Sequence, residues 1–129
     1  LPCDETAGGP EALAGRRMSD GTVVYNKLVR DRIPEIITAD GHTPVVRVLP
    51  APEYRQALLA KLGEEALELA AATNEQEQLG ELADLQEVLN ALAESYGFTP
   101  LWVDDVAAKK REARGGFRRQ LFLESTTPA

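Results

Sequence analysis

At 129 residues the chain holds one domain, and a hydrophobic share of 43% is enough for a core. Asp and Glu outnumber Lys and Arg by 21 to 14, and the net charge of −7 argues against a general nucleic-acid binder while leaving room for an acidic metal site. The single Cys3 excludes an internal disulfide or a zinc cluster, no apolar run approaches a membrane span, and residues 1–17 lack the apolar stretch of a signal peptide, so a cytoplasmic protein is expected.

Residues 1–17 are rich in Ala, Gly and Pro, and Met18-Ser19-Asp20-Gly21 reads as a natural start. Residues 1–20 are therefore expected to be a loosely ordered extension, with the domain over 21–124. In YNKLVRDRIPEIITADG, Pro34 fits the first turn of a short helix and Gly41 its end. Lys27, Arg30, Asp31 and Arg32 stand before it, either as a solvated charged lead-in or as a cationic arm for phosphate. His42–Leu49 is β-branched and weakly alternating, which predicts a short strand, with the lone His42 at the surface. A long helix is expected from about Glu53 to Ala72. Asn74, with Glu77 three residues on, starts a second helix that runs to Gly97. Thr99-Pro100 starts a third, ending at Gly115-Gly116. Phe117–Leu123 reads as a second strand able to pair with 44–49, and the tail over 125–129 as frayed.

The two long helices carry acidic pairs at i,i+3 spacing, Glu65/Glu68 and Glu81/Asp84. Each pair occupies one helix face. Glu65 and Asp84 are equidistant from the turn, as are Glu68 and Glu81, so an antiparallel hairpin brings the four to one height. Glu65 also sits on the apolar stripe Leu58, Leu62, Leu69, and Glu81 on the stripe Leu85, Val88, Leu92. Two carboxylates about 4 Å apart repel by about 4 kcal/mol at an effective dielectric of 20, so four demand protons or a cation. Oxygen-only ligands suit Mg²⁺, with Mn²⁺ as a substitute. A second signal is AAKKREARGGF, where Lys110 and Arg114 are i,i+4 neighbours at a helix end. They suit either the helix dipole or a phosphate.

Together these segments resemble the MazG-like, all-α nucleoside triphosphate pyrophosphohydrolases. The likeness rests on Glu64-Glu65-Ala66-Leu67-Glu68 followed after twelve residues by Glu81-Leu82-Ala83-Asp84. The opening YNKLVRDRIPEI and the closing KKREARGGF are similar to the phosphoribosyl-ATP pyrophosphohydrolase-like branch, and the match covers about residues 25–123. The resemblance implies Mg²⁺-dependent cleavage between the α- and β-phosphates of a nucleoside triphosphate, of phosphoribosyl-ATP or of non-standard nucleotides. It implies Glu65, Glu68, Glu81 and Asp84 as metal ligands and Glu64 as the group that orients water or binds a further ion. Lys110, Arg114, Lys27 and Arg30 become phosphate contacts.

The fold expected is mainly α, an antiparallel helical bundle with a short two-stranded β element, assembled as a homodimer or tetramer because the hairpin leaves apolar stripes uncovered. Tyr54, Tyr96, Phe98 and Trp102 are scattered in sequence and read as core residues rather than as a platform for a base. The competing reading is a helical dimer that senses a nucleotide or metal without turning it over.

Overall fold

A computed structural model describes residues 15–128 of the chain. The structure is mainly helical with one small antiparallel sheet, as the sequence predicts. In chain order the elements are β1 (Arg16–Arg17), β2 (Val23–Val24), α1 (Ile33–Ala39), α2 (Ala51–Ala71), α3 (Glu75–Ser95) and α4 (Pro100–Arg114). Among the described residues, no helix is long and apolar enough to cross a membrane.

The sheet is not where the sequence placed it. Arg16 pairs with Val24 and Arg17 with Val23, so one strand lies inside the stretch read as a loose extension and the other just after it, while residues 1–14 lie outside the described residues. The tight turn is made by Asp20, whose Oδ1 accepts from the Thr22 amide at 2.9 Å, and by Gly21 at φ 93°. Residues 42–49 form no strand, and residues 117–120 make a turn in which the Gln120 amide bonds to the Phe117 carbonyl; among the described residues neither segment joins a sheet. Val45 and Val48 are 97% and 96% exposed, and Phe117 is 97% exposed. β-propensity measures how well a side chain packs on a pleated neighbour, and neither segment has one here. His42 is exposed beside Asp40, as expected.

The helical hairpin α2–α3 is the body of the molecule. Asn74 Oδ1 accepts from the Glu77 amide at 2.8 Å, and Glu77 Oε1 accepts from the Thr73 amide at 3.1 Å, so the side chains close the turn from both directions. At the open end, Arg55 of α2 donates to both the carbonyl and the hydroxyl of Ser95, and its guanidinium lies 4.4 Å from the Tyr96 ring centre. The core between these two clasps is small: Leu58, Val88 and Leu92, with Leu28, Tyr54, Leu62 and Ala91 packed against it. Ile33 of α1 is also buried.

Helix α3 ends in a Schellman motif, with Gly97 at φ 84°, its amide bonded to the Glu94 carbonyl and the Phe98 amide to that of Ala93. Thr99 Oγ1 accepts from the Trp102 amide and starts α4 at once. No residue of α4 is buried.

The two clasps hold the hairpin register. Asn74→Ala is expected to cost about 1 kcal/mol and Arg55→Ala about 1–3 kcal/mol. Urea unfolding followed by far-UV circular dichroism checks both, and an unchanged midpoint in both variants would contradict the assignment.

Candidate metal centre

The hairpin brings the predicted acids together. Carboxylate oxygens of Glu65, Glu81 and Asp84 lie within 4.8 Å of one another, and so do those of Glu64, Glu65 and Glu68. Glu65 belongs to both groups, so the five acids form one continuous cup across α2 and α3. Its floor is buried: Glu65 is 5% exposed and Glu81 9%. Both intrude on the stripe that elsewhere carries Leu58 and Val88, which is why they are taken out of water.

Burial has an electrostatic consequence. Burial pushes the Glu81 carboxyl up to about 8, aided by a hydrogen bond with Glu65 and by the charges of Glu68, Glu65 and Asp84. Burial and then the neighbouring Glu65 and Glu64 also raise Glu68. Glu65 Oε1 and Glu81 Oε1 are buried without a donor. Two ionised carboxylates can only accept, so either the proton that Glu81 retains and shares with Glu65 or a cation must satisfy these oxygens. The donor set is all oxygen, partly open to solvent at Asp84 and Glu68, and fits a hard divalent cation such as Mg²⁺ or Mn²⁺.

Cations of the protein line the rim. Arg30 donates to Asp84 Oδ1 at 2.6 Å, and Lys27 Nζ lies 3.6 Å from Glu64. Residues 26–30 reach the cup through a tight bend at Asn26, whose φ of 48° is left-handed, a conformation that Asn tolerates better than most side chains. Lys27 and Arg30 are thus brought to the acids by the loop before α1. Lys61 was missed in the sequence. It lies 3.5 Å from Glu65 and 3.9 Å from Glu64, and its i,i+3 and i,i+4 spacing to them is the signal that could have found it. Asn26, Lys27, Lys61 and Glu64 line a cavity of about 120 Å³ at this rim.

Lys110 and Arg114 stand apart. Among the described residues no ion pair joins them to the cup, and Lys110 instead lines an open apolar groove of about 500 Å³ with Phe98, Trp102, Val103 and Val106. The aromatic residues are not scattered core. Tyr96 stacks on Phe98 at 5.8 Å, Phe98 meets Trp102 edge-on at 5.2 Å, and all three are about half exposed; only Tyr54 joins the core. The Gly97 corner assembles them from the end of α3, the corner itself and the first turn of α4, a placement that no spacing rule reveals. The charge is also divided. The hairpin holds ten carboxylates and two bases, whereas residues 107–123 hold six bases and one carboxylate.

No protein-family model matches the chain, and no solved structure matches it. A protein of Mycolicibacterium smegmatis described only as uncharacterized is 63% identical over 46 residues, which is 36% of this chain and 47% of that protein. The chain thus matches about half the length of that relative.

The raised Glu81 pKa sets a pH dependence. A carboxyl near 4.5 when unfolded and near 8 when folded binds its proton more tightly in the folded state. Its contribution is fully present below about 4.5 and lost as pH rises through about 8. In EDTA the melting temperature is expected to fall from pH 5 to pH 8, with Glu81→Gln flattening that fall. Added Mg²⁺ or Mn²⁺ is expected to restore stability most at the higher pH, because binding then displaces fewer protons. A melting temperature independent of both pH and metal would contradict the assignment.

Proposed function

We propose that the chain is a divalent-metal-dependent nucleotide pyrophosphohydrolase that cleaves between the α- and β-phosphates to release a nucleoside monophosphate and pyrophosphate. The observation that supports it best is the pair of buried, donorless carboxylate oxygens on Glu65 and Glu81 at the centre of a five-acid cup. The motif resemblance names the reaction, and the cup has the donor chemistry that the reaction needs.

In this reading Glu65, Glu68, Glu81 and Asp84 hold Mg²⁺. The bound cation supplies charge neutralisation at the phosphates and acidifies water at the site. Glu64, 40% exposed at its side chain and on the rim, orients the attacking water and takes its proton. The water oxygen bonds to phosphorus as the anhydride bridge between the α- and β-phosphates breaks, and pyrophosphate departs. Lys27 and Arg30, already over the acids, turn to the phosphate oxygens and stabilise the charge that spreads there. Lys110 and Arg114 are assigned to phosphate on the resemblance alone. The nucleotide is a canonical, damaged or otherwise non-standard triphosphate, or phosphoribosyl-ATP, and the active species is a homodimer or larger assembly.

One observation favours a second reading, a helical dimer that senses nucleotide or metal without turnover. Glu64 lies within 3.6 Å of Lys27 and 3.9 Å of Lys61, and both ammonium groups compete for the lone pairs that would receive a proton.

A panel of canonical, deoxy and oxidised nucleoside triphosphates and phosphoribosyl-ATP, incubated with Mg²⁺ and assayed for pyrophosphate, separates the two. Release from at least one, abolished by EDTA and lowered at least about 100-fold in Asp84→Asn with its helix content intact, is the expected result. Saturable nucleotide binding with no pyrophosphate would favour the sensor, and full turnover in Asp84→Asn would overturn the ligand assignment.

A further inference from the structure

The acids of the cup do not offer all their oxygens to an ion. Lys61 Nζ lies 3.5 Å from Glu65 Oε2, and Arg30 donates to Asp84 Oδ1 at 2.6 Å. Each of these two carboxylates has one oxygen engaged by a cation of the protein itself. On Glu65 the other oxygen, Oε1, is buried without a donor, and the residue is 5% exposed. The fold fixes this division. Lys61 stands one turn before Glu65 on α2. Its side chain is only 19% exposed and lines the rim cavity with Leu28, Ala57 and Ala60, an enclosure that keeps the ammonium at the carboxylate.

We infer that Lys61, together with Arg30, selects the ion: by engaging one oxygen each they restrict Glu65 and Asp84 to one-oxygen ligation, and the cup takes Mg²⁺ in preference to Ca²⁺. The inference rests on the metal reading of the cup but not on hydrolysis.

The two ions use carboxylates differently. Ca²⁺ gathers about six to eight oxygens at about 2.3–2.6 Å and takes both oxygens of an Asp or Glu where it can. Mg²⁺ holds a tight octahedron at about 2.0–2.1 Å, draws on one or two carboxylates and keeps water in the remaining positions. A carboxylate whose second oxygen is already engaged serves Mg²⁺ fully and Ca²⁺ only in part. Donor type does not make this choice, because both ions are hard and both take oxygen. Charge does not make it either. The ammonium and guanidinium repel two doubly charged ions alike, so only the engaged oxygen separates them.

Neither side chain touches the ion in this scheme, so both are positioning residues, acting through the acid that each one holds. A guanidinium has five N–H donors, so engaging Asp84 is compatible with the contact to phosphate proposed for Arg30.

The test is a competition on the full chain. The protein is loaded with Mn²⁺ at one fixed pH, free Mn²⁺ is read by electron paramagnetic resonance, and Mg²⁺ or Ca²⁺ is added. Wild type is expected to release Mn²⁺ to Mg²⁺ at a lower concentration than to Ca²⁺. In Lys61→Met the ratio of the two affinities is expected to move toward Ca²⁺ by at least about tenfold. Lys61→Arg, which keeps a cation beside Glu65, is expected to hold the ratio near that of wild type. A variant that merely loosens the fold weakens both ions and leaves the ratio alone. Should Lys61→Met lose its helical circular dichroism, Arg30→Met is expected to move the ratio the same way through Asp84. A wild type that prefers Ca²⁺, or a ratio unmoved in the folded variant, would overturn the inference and leave the metal centre standing. A wild type that binds none of the three ions overturns both. The expected shift in a protein that releases no pyrophosphate supports the inference and counts against the hydrolase.

Discussion

Two carboxylates buried where leucines belong, Glu65 and Glu81, are the constraint around which the molecule is arranged. Burying charge is costly unless a proton or a counter-charge accompanies it. The fold answers with both. Glu81 holds a proton far above the normal carboxylate range, and Lys61, Lys27 and Arg30 gather around the neighbouring acids. The same arrangement is costly in mildly alkaline water, where the Glu81 proton is lost.

Stability elsewhere is modest and local. Three buried side chains form the centre of the hairpin core, and fixed hydrogen bonds hold its two ends, at Asn74 and at Arg55. A thin core between two clasps allows the acids to sit between the helices without the register slipping, because the register is set at the ends rather than by the acids. The uncharged leucines Leu79, Leu82 and Leu89 stay exposed on the outer side of the hairpin.

The hairpin was legible because its signals are local. Asn74 with Glu77, Thr99 with Pro100, and Gly97 each mark a helix end through a backbone group that must find a partner, and each does so in the structure. The convergence of Glu65, Glu68, Glu81 and Asp84 followed from counting outward from the turn. The strands failed for the opposite reason. Residues 42–49 and 117–123 have the right side chains, but pairing is a property of two segments, and nothing in either says whether the other is within reach. The real hairpin has a local signal, Asp20-Gly21, but in sequence that stretch reads as a chain start, and its strands are only two residues long. Lys110 and Arg114 were assigned with the acids to a phosphate site, yet α4 follows the Gly97 corner and Lys110 lines a different groove.

The division of charge has its own reach. An acidic hairpin at one part of the chain and a basic segment over 107–123 at another make the protein a permanent dipole. In dilute salt such a field turns a polyanion in solution so that its charged end approaches the lysines and arginines first, long before any contact is made. At physiological ionic strength the field fades within about 8 Å, so encounter with any charged solute becomes a matter of short-range collision.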